Sequence, residues 1–188
     1  MMLSLSFSEL SECPIAPYMS DSANLILQAK NQWLVQQVEV EFPTKESLAG
    51  RQLYIEKASY FHMIEWPPAS LEDDREPCDI EIHKADFHRL TVMFALLQST
   101  RWSDQNEQAL IVEFLTQIIF SPPCDLYVGF VNGEISAAAI VTKSDETALV
   151  SDIVTTSVTQ NQFLAALMPI AEIDPQSYSD VFVETANY

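Results

Sequence analysis

The sequence predicts an α/β fold of the α+β kind, with a mostly antiparallel sheet flanked by helices. Two observations carry this. Residues 124–156 hold three short apolar runs, 126–131, 135–142 and 148–154, divided by Asn132-Gly133 and by Lys143-Ser144-Asp145-Glu146. Asn-Gly between β-rich runs favours a two-residue hairpin, because both residues accept the positive φ that such a turn requires. The three runs therefore form an antiparallel meander. The third then passes through Thr155-Thr156-Ser157 into Phe163, Leu164, Leu167, Met168, Ile170 and Ala171, spaced as one face of a helix.

Taken in order, residues 1–20 carry little pattern beyond Pro14 and Pro17 and read as an irregular lead-in. Ser20 or Asp21 caps a helix through Leu25, Ile26, Ala29 and Gln32, since a short side-chain oxygen satisfies the open amides of a first turn. Residues 33–42 alternate Val38, Val40 and Phe42 against Gln37, Glu39 and Glu41, which predicts a half-buried strand. Residues 52–66 give a second β-like run whose phase slips near Ala58, the mark of a bulge. The charged, proline-bounded stretch 67–77 reads as a solvated linker. Ile80 and Ile82 begin another strand, and helices follow over 86–97 and 104–119, the latter with Leu110, Ile111, Phe114, Leu115 and Ile118 on one face.

Composition bounds the function. A chain of 188 residues with 48% hydrophobic residues can build a full core, as one domain or one domain with an appendage. A formal net charge of −18 disfavours partners that are polyanions, so nucleic acid and anionic membrane are not expected. Cys13, Cys78 and Cys124 are few, odd in number and far apart, which fits a reducing compartment, the cytoplasm, and lacks zinc-ligand spacing. No run approaches the roughly 18 apolar residues of a membrane span, and the N-terminus lacks the basic start of a signal peptide. His62, His83 and His88 show no metal-ligand spacing, so no metal is expected, and Cys124 has no neighbouring base to make it a nucleophile. Trp33, Trp66 and Trp102 read as packing anchors rather than a ligand cage.

The order strand, Asn-Gly turn, small-residue strand, acidic turn, strand carrying Ser151-Asp152-Ile153-Val154, then helix resembles the centre of the GNAT (Gcn5-related N-acetyltransferase) superfamily. In that resemblance 125–131, 134–142 and 148–155 are the central strands, 158–173 the helix after them, and 180–185 the next strand, ending Phe182-Val183-Glu184-Thr185-Ala186-Asn187. The resemblance covers about residues 79–188 and implies a mixed sheet and transfer of an acetyl or other acyl group from acyl-coenzyme A to an amine, small-molecule or peptidic. The organisation it suggests is a helix with two β segments over 1–66, a linker over 67–78 and a GNAT-like core over 79–188. Residues 21–33 also resemble a helix that the family places after the 180–185 strand, matching at Ala23, Leu25, Leu27, Lys30 and Trp33. Circular permutation, or the tail of a lost preceding domain, would explain this; an unrelated helix and hairpin is the alternative.

Departures from the family pattern limit what carries over. The family follows its third central strand with a glycine-rich loop that lets backbone approach the coenzyme A pyrophosphate at a helix N-terminus. Here 156–164 contains no glycine, and the chain has three in all. The positions implied for cofactor binding are Val154, Thr155, Thr156, Ser157, Gln160 and Asn161, with Phe163 and Leu164 obstructing close approach, so binding of acetyl-coenzyme A is expected to be weak or absent. For chemistry, the resemblance implies a carboxylate that takes the proton of the amine, a backbone amide of the 148–155 strand that polarises the thioester oxygen, and an acid for the departing thiolate. Asp152 and Glu184 are the implied proton acceptors. The tyrosine position of the family falls on Gln28, which cannot act as an acid, leaving Tyr188 or Tyr178 as substitutes. Two functions remain open, a divergent acyltransferase and a non-catalytic binding or regulatory module on the same fold.

A strand over 180–185 left at a sheet edge would invite aggregation. The helix from Asp21 is expected to pack near the C-terminal end of that strand, bringing Asp21 close to the C-terminus, with 33–42 and 52–65 extending the sheet; the competing arrangement is a homodimer.

Overall fold

The computed structural model describes residues 20–58, 61–66, 79–174 and 176–186. In chain order the elements are α1 (Asp21–Gln36), α2 (Lys45–Ala58), β1 (Phe61–Glu65), β2 (Glu81–Lys84), α3 (His88–Ser99), α4 (Gln105–Leu115), β3 (Cys124–Val131), β4 (Glu134–Lys143), β5 (Thr147–Thr155), α5 (Gln160–Ile170) and β6 (Asp180–Ala186). The strands form one sheet in the order β1-β6-β5-β4-β3-β2, antiparallel throughout except for β5 and β6. That parallel pair needs a crossover, and α5 supplies it. The α/β class with a mixed, mostly antiparallel sheet between helices is thus as the sequence predicts.

The meander forms for the reason its turn suggests. Asn132 and Gly133 have φ of 52° and 81°, and Val131 pairs with Glu134 directly across them. Side chains alternate between two cores, as the period of a strand dictates. Leu126, Val128, Ala138 and Ile140 face Trp33, Leu34, Phe94, Ile111 and Phe114 from the N-terminal helices. Tyr127, Ala137, Ala139 and Val141 face Phe163, Leu164 and Leu167 of α5.

Helix starts follow their caps. Ser20 accepts from the Ala23 amide and Asp104 from those of Asn106 and Glu107, so α4 begins at Gln105. It ends at Leu115, four residues before the predicted end. Thr159 opens α5 with a capping box closed by Gln162.

Two expectations in the N-terminal part fail. Residues 33–42 are not a strand: 33–36 complete α1, where Trp33 and Leu34 continue the buried row of Ala23, Ile26 and Lys30 at helical spacing. Val38 is buried, but Val40 and Phe42, the rest of the apparent alternation, are exposed. Nor is 52–66 one β-like run, because it divides into the end of α2 and strand β1, and the phase slip near Ala58 marks the helix end rather than a bulge. The buried positions over residues 45–57 of α2 are Ser47, Gly50 and Tyr54, a helical row without an apolar stripe to announce it. Gly50 lets α2 approach α4 closely; a Cβ there would lie 2.0 Å from the Leu110 carbonyl oxygen.

The edge of β6 is covered from within the chain. β1 pairs antiparallel with it from Phe61 opposite Ala186 to Glu65 opposite Phe182. The placement of α1 differs from expectation: Ser22 Oγ donates to Asp180 at the beginning of β6, 2.8 Å away, and only mid-helix does Lys30 reach Glu184. The helix therefore starts at the N-terminal end of that strand and runs along it, because its apolar residues Ala23 and Ile26 pack on Leu149 and Phe182. The proposed linker and the last two residues lie outside the described residues. No described helix is long and apolar enough to cross a membrane.

Candidate functional site

The site lies where β5 and β6 part. They pair only from Thr147 with Asp180 to Val150 with Val183. Ile140 then faces Ser151 while Ala138 faces Val154, so Asp152 and Ile153 stand against the single residue Ala139. This is a β-bulge, and Asp152 takes the left-handed conformation within it, φ 53°. The bulge turns the Asp152 amide out of the β4 ladder and towards β6. The meander, the helix after it and the next strand in a mixed sheet follow the order of elements that the resemblance implies, and the splay at the bulge is a finding of the structure. The fold is GNAT-like.

Five other side chains converge on Asp152. Tyr54 from α2 donates to Oδ1 at 2.6 Å, Arg101 after α3 donates to Oδ1 at 2.9 Å, and Lys30 from α1 donates to Oδ2 at 3.1 Å. Gln98 donates to the Asp152 carbonyl and accepts from Arg101. The Asp152 amide donates to Glu184 Oε2 of β6 at 2.6 Å, and Glu184 Oε1 lies 3.9 Å from Lys30 Nζ. Every polar atom of Asp152 thus has a partner inside the protein. Lys30 is fully buried, and Asp152, Tyr54, Gln98 and Glu184 nearly so.

Two cations and two carboxylates balance in this cluster. Burial alone would raise the Asp152 carboxyl, but Lys30, Arg101 and the donated hydrogen bonds outweigh it and hold the group well below the usual carboxylate range. Burial would lower Lys30, yet Asp152, Tyr54 and Glu184 raise it above an ordinary lysine, and Arg101 is raised likewise. Tyr54 is raised by burial and then by the Asp152 charge, so it remains a donor. Glu184 is raised, because burial and the neighbouring Asp152 outweigh the help of Lys30 and the amide.

The predicted site residues divide. Asp152 and Glu184 are brought together, joined through the Asp152 amide, but neither faces solvent. Tyr188 lies outside the described residues, and Tyr178 is half-buried against the α5 core. Among the positions implied for the cofactor, Val154 is buried in the other core and Thr155 pairs with Ala137. The Thr156 amide and hydroxyl both donate to the Ser136 carbonyl, while Ser157 is exposed. Gln160 and Asn161 form the first turn of α5, where Thr159 already accepts from the Gln162 amide. Cys124 is buried beside Thr142, and burial pushes its thiol up to about 12, which disqualifies it as a nucleophile. Among the described residues no group of three or more His, Cys, Asp or Glu is placed to hold a metal ion.

Sequence reasoning missed Lys30, Tyr54, Gln98 and Arg101. Only Lys30 left a signal, as a charge on the same helical face as Ile26, Trp33 and Leu34.

No protein-family model matches the chain, and no curated relative is found. Among solved structures the chain is similar to ribosomal-protein-alanine N-acetyltransferase from Brucella melitensis, at 13% identity over 57% of this chain and 80% of that one, TM-score 0.42. It is also similar to a predicted acetyltransferase with acetyl-CoA from Clostridium acetobutylicum, at 11% identity over 57% of this chain and 82% of the other, TM-score 0.39. A functionally unknown conserved protein from Staphylococcus epidermidis is similar over 82% of this chain and 79% of its own, at 9% identity and TM-score 0.47. Likeness at this level carries no argument about chemistry.

Proposed function

We propose that this chain is a non-catalytic binding or regulatory module that keeps a GNAT-like fold and fills the acyl-activating position with its own side chains. One observation carries the reading: the bulge amide of Asp152 is already bonded to Glu184. Catalysis of acyl transfer needs such a donor open to the developing oxyanion, and one that is bonded within the protein must first be released. Asp152 is also unsuited to be the base, since both of its oxygens accept from the protein and its pKa is pushed away from neutrality. At α5, the capping box takes up the Gln162 amide and that of the N-cap Thr159, two donors of a helix N-terminus that could otherwise meet a pyrophosphate.

The second reading, a divergent acyltransferase acting on an amine, draws support from Glu184. Its carboxyl is raised in the direction a general base requires, and its displacement would release the Asp152 amide. Calorimetric titration with acetyl-coenzyme A separates the two. A non-catalytic module gives a Kd weaker than about 1 mM, roughly −4 kcal/mol. Micromolar binding with acetylation of a small amine or peptide, lost in Glu184→Ala, would establish the second reading.

A further inference from the structure

We propose that the surface running from the α1–β4/β5 turn groove to the 38–43 loop docks a basic amphipathic segment of another protein. It goes beyond the reading above and stands on different residues. Leu25 and Ala29 of α1 line a groove of about 490 Å³ against Pro123 and the 142–147 turn. One helical row onward, Trp33 Nε1 donates to Ser121 at 3.0 Å, and Gln37 accepts from the Ile119 amide at 2.8 Å. The row 25-29-33-37 therefore runs alongside the segment 119–123, for about 18 Å at the rise of a helix. Beyond it, Thr44 reaches Glu113, so the loop 38–43 lies beside the C-terminal end of α4.

Exposed apolar side chains recur along these segments among the described residues. Phe42 is 83% exposed, Ile119 69%, Leu25 66%, Val40 54% and Phe120 40%, so five of the nine large hydrophobics exposed among the described residues fall on the three neighbouring segments α1, 38–43 and 119–123. Such clustering marks an interaction surface, whereas single exposed leucines do not.

Charge selects the occupant. Glu39 and Glu41 alternate with Val40 and Phe42, Glu113 stands at that end, and Asp145 and Glu146 edge the groove. Against these the surface sets Lys143 at the groove and Lys45 just past the loop. A second copy of a chain of net charge −18 would bring like charges together, whereas a helix with apolar residues on one face and lysine or arginine beside them satisfies both halves of the surface.

The test uses the full chain, isotope-labelled for amide NMR, and a synthetic amphipathic helix of leucine and lysine, with its leucine–glutamate counterpart as control. Expected are shifts confined to residues 25–29, 37–44, 113–123 and 142–147, weakening with salt, and no binding of the glutamate peptide. Phe42→Ser with Ile119→Ser, both at exposed positions, should weaken the lysine peptide by about tenfold or more, the scale of an interface anchor. Shifts scattered over the acidic surface, or an affinity indifferent to the two serines, would overturn the proposal. So would self-association of the free chain that the same substitutions abolish, which would make the face a homodimer interface. Acetyl-coenzyme A binding would shift 152–162 instead, so the two proposals fail separately.

Discussion

Lys30 Nζ lies 3.1 Å from Asp152 Oδ2, tying the middle of α1 to the bulge of β5 across 122 residues of sequence. The contact is buried, and with Ala23 and Ile26 on Leu149 and Phe182 it holds the first helix against the central sheet. Removing one partner of such a pair leaves an uncompensated charge in low dielectric, at about 3–5 kcal/mol. Lys30→Met should therefore destabilise the chain by that order in urea unfolding. The double variant with Asp152→Asn should lose about 1–3 kcal/mol less than the sum of the singles, since contacting residues do not add. Additive losses would show that the pair is not coupled.

The two carboxylates of the cluster respond to acid in opposite senses. Asp152 is held below its unfolded value of about 3.9, so its contribution is complete above that value and lost as pH falls through the folded pKa. Glu184 is raised above its unfolded value of about 4.3, so its ionisation in the fold costs stability near neutrality, and that cost is relieved as pH falls through the folded pKa. Wild type should gain stability from neutral to mildly acid pH and lose it below about pH 4. Glu184→Gln keeps an acceptor for the Asp152 amide but removes the titration, so its urea midpoint should gain less over the mildly acid range. Parallel profiles for the two proteins would refute this assignment.

Local signals made the meander and α4 legible. Asn132-Gly133 specifies its turn without help from distant residues, and Asp104 specifies where α4 starts. α2 was illegible because it buries Ser47, Gly50 and Tyr54, small or polar residues that form no apolar stripe, while Leu53 and Ile55 imitate a strand. Asp152 and Glu184 were singled out through the resemblance, by their places on the 148–155 and 180–185 strands. Their partners could not be, because Lys30, Tyr54 and Gln98 arrive from three helices, and Arg101 from the turn after the third, brought together only by packing on the sheet.

The close crossing of α2 over α4 makes Gly50 a sharp test of the helical assignment. Any Cβ there meets the Leu110 backbone oxygen, which cannot swing aside like a side chain. Gly50→Ala raises helix propensity by about 1 kcal/mol and would stabilise an isolated helix. In this fold the helices must separate, so a net loss of about 1–3 kcal/mol is expected, typical of overpacking. A thermal shift upward would show that α2 does not approach α4 as described.

One residue beside the cluster should improve on removal. Ser151 is fully buried next to Asp152, and its Oγ has no hydrogen-bond partner in the structure, although the groups around Asp152 are satisfied one after another. A buried hydroxyl without a partner forfeits its bonds to water and gains none in return, at about 1–3 kcal/mol. Alanine removes that hydroxyl and leaves only a small void. Ser151→Ala should therefore stabilise the chain by about 1 kcal/mol, read as a higher urea midpoint with an unchanged slope. Because the substitution leaves Asp152, Glu184 and Lys30 in place, the acid profile should keep its shape. A loss of stability on substitution would mean that Ser151 has a partner in solution, and would make it a member of the cluster rather than a bystander.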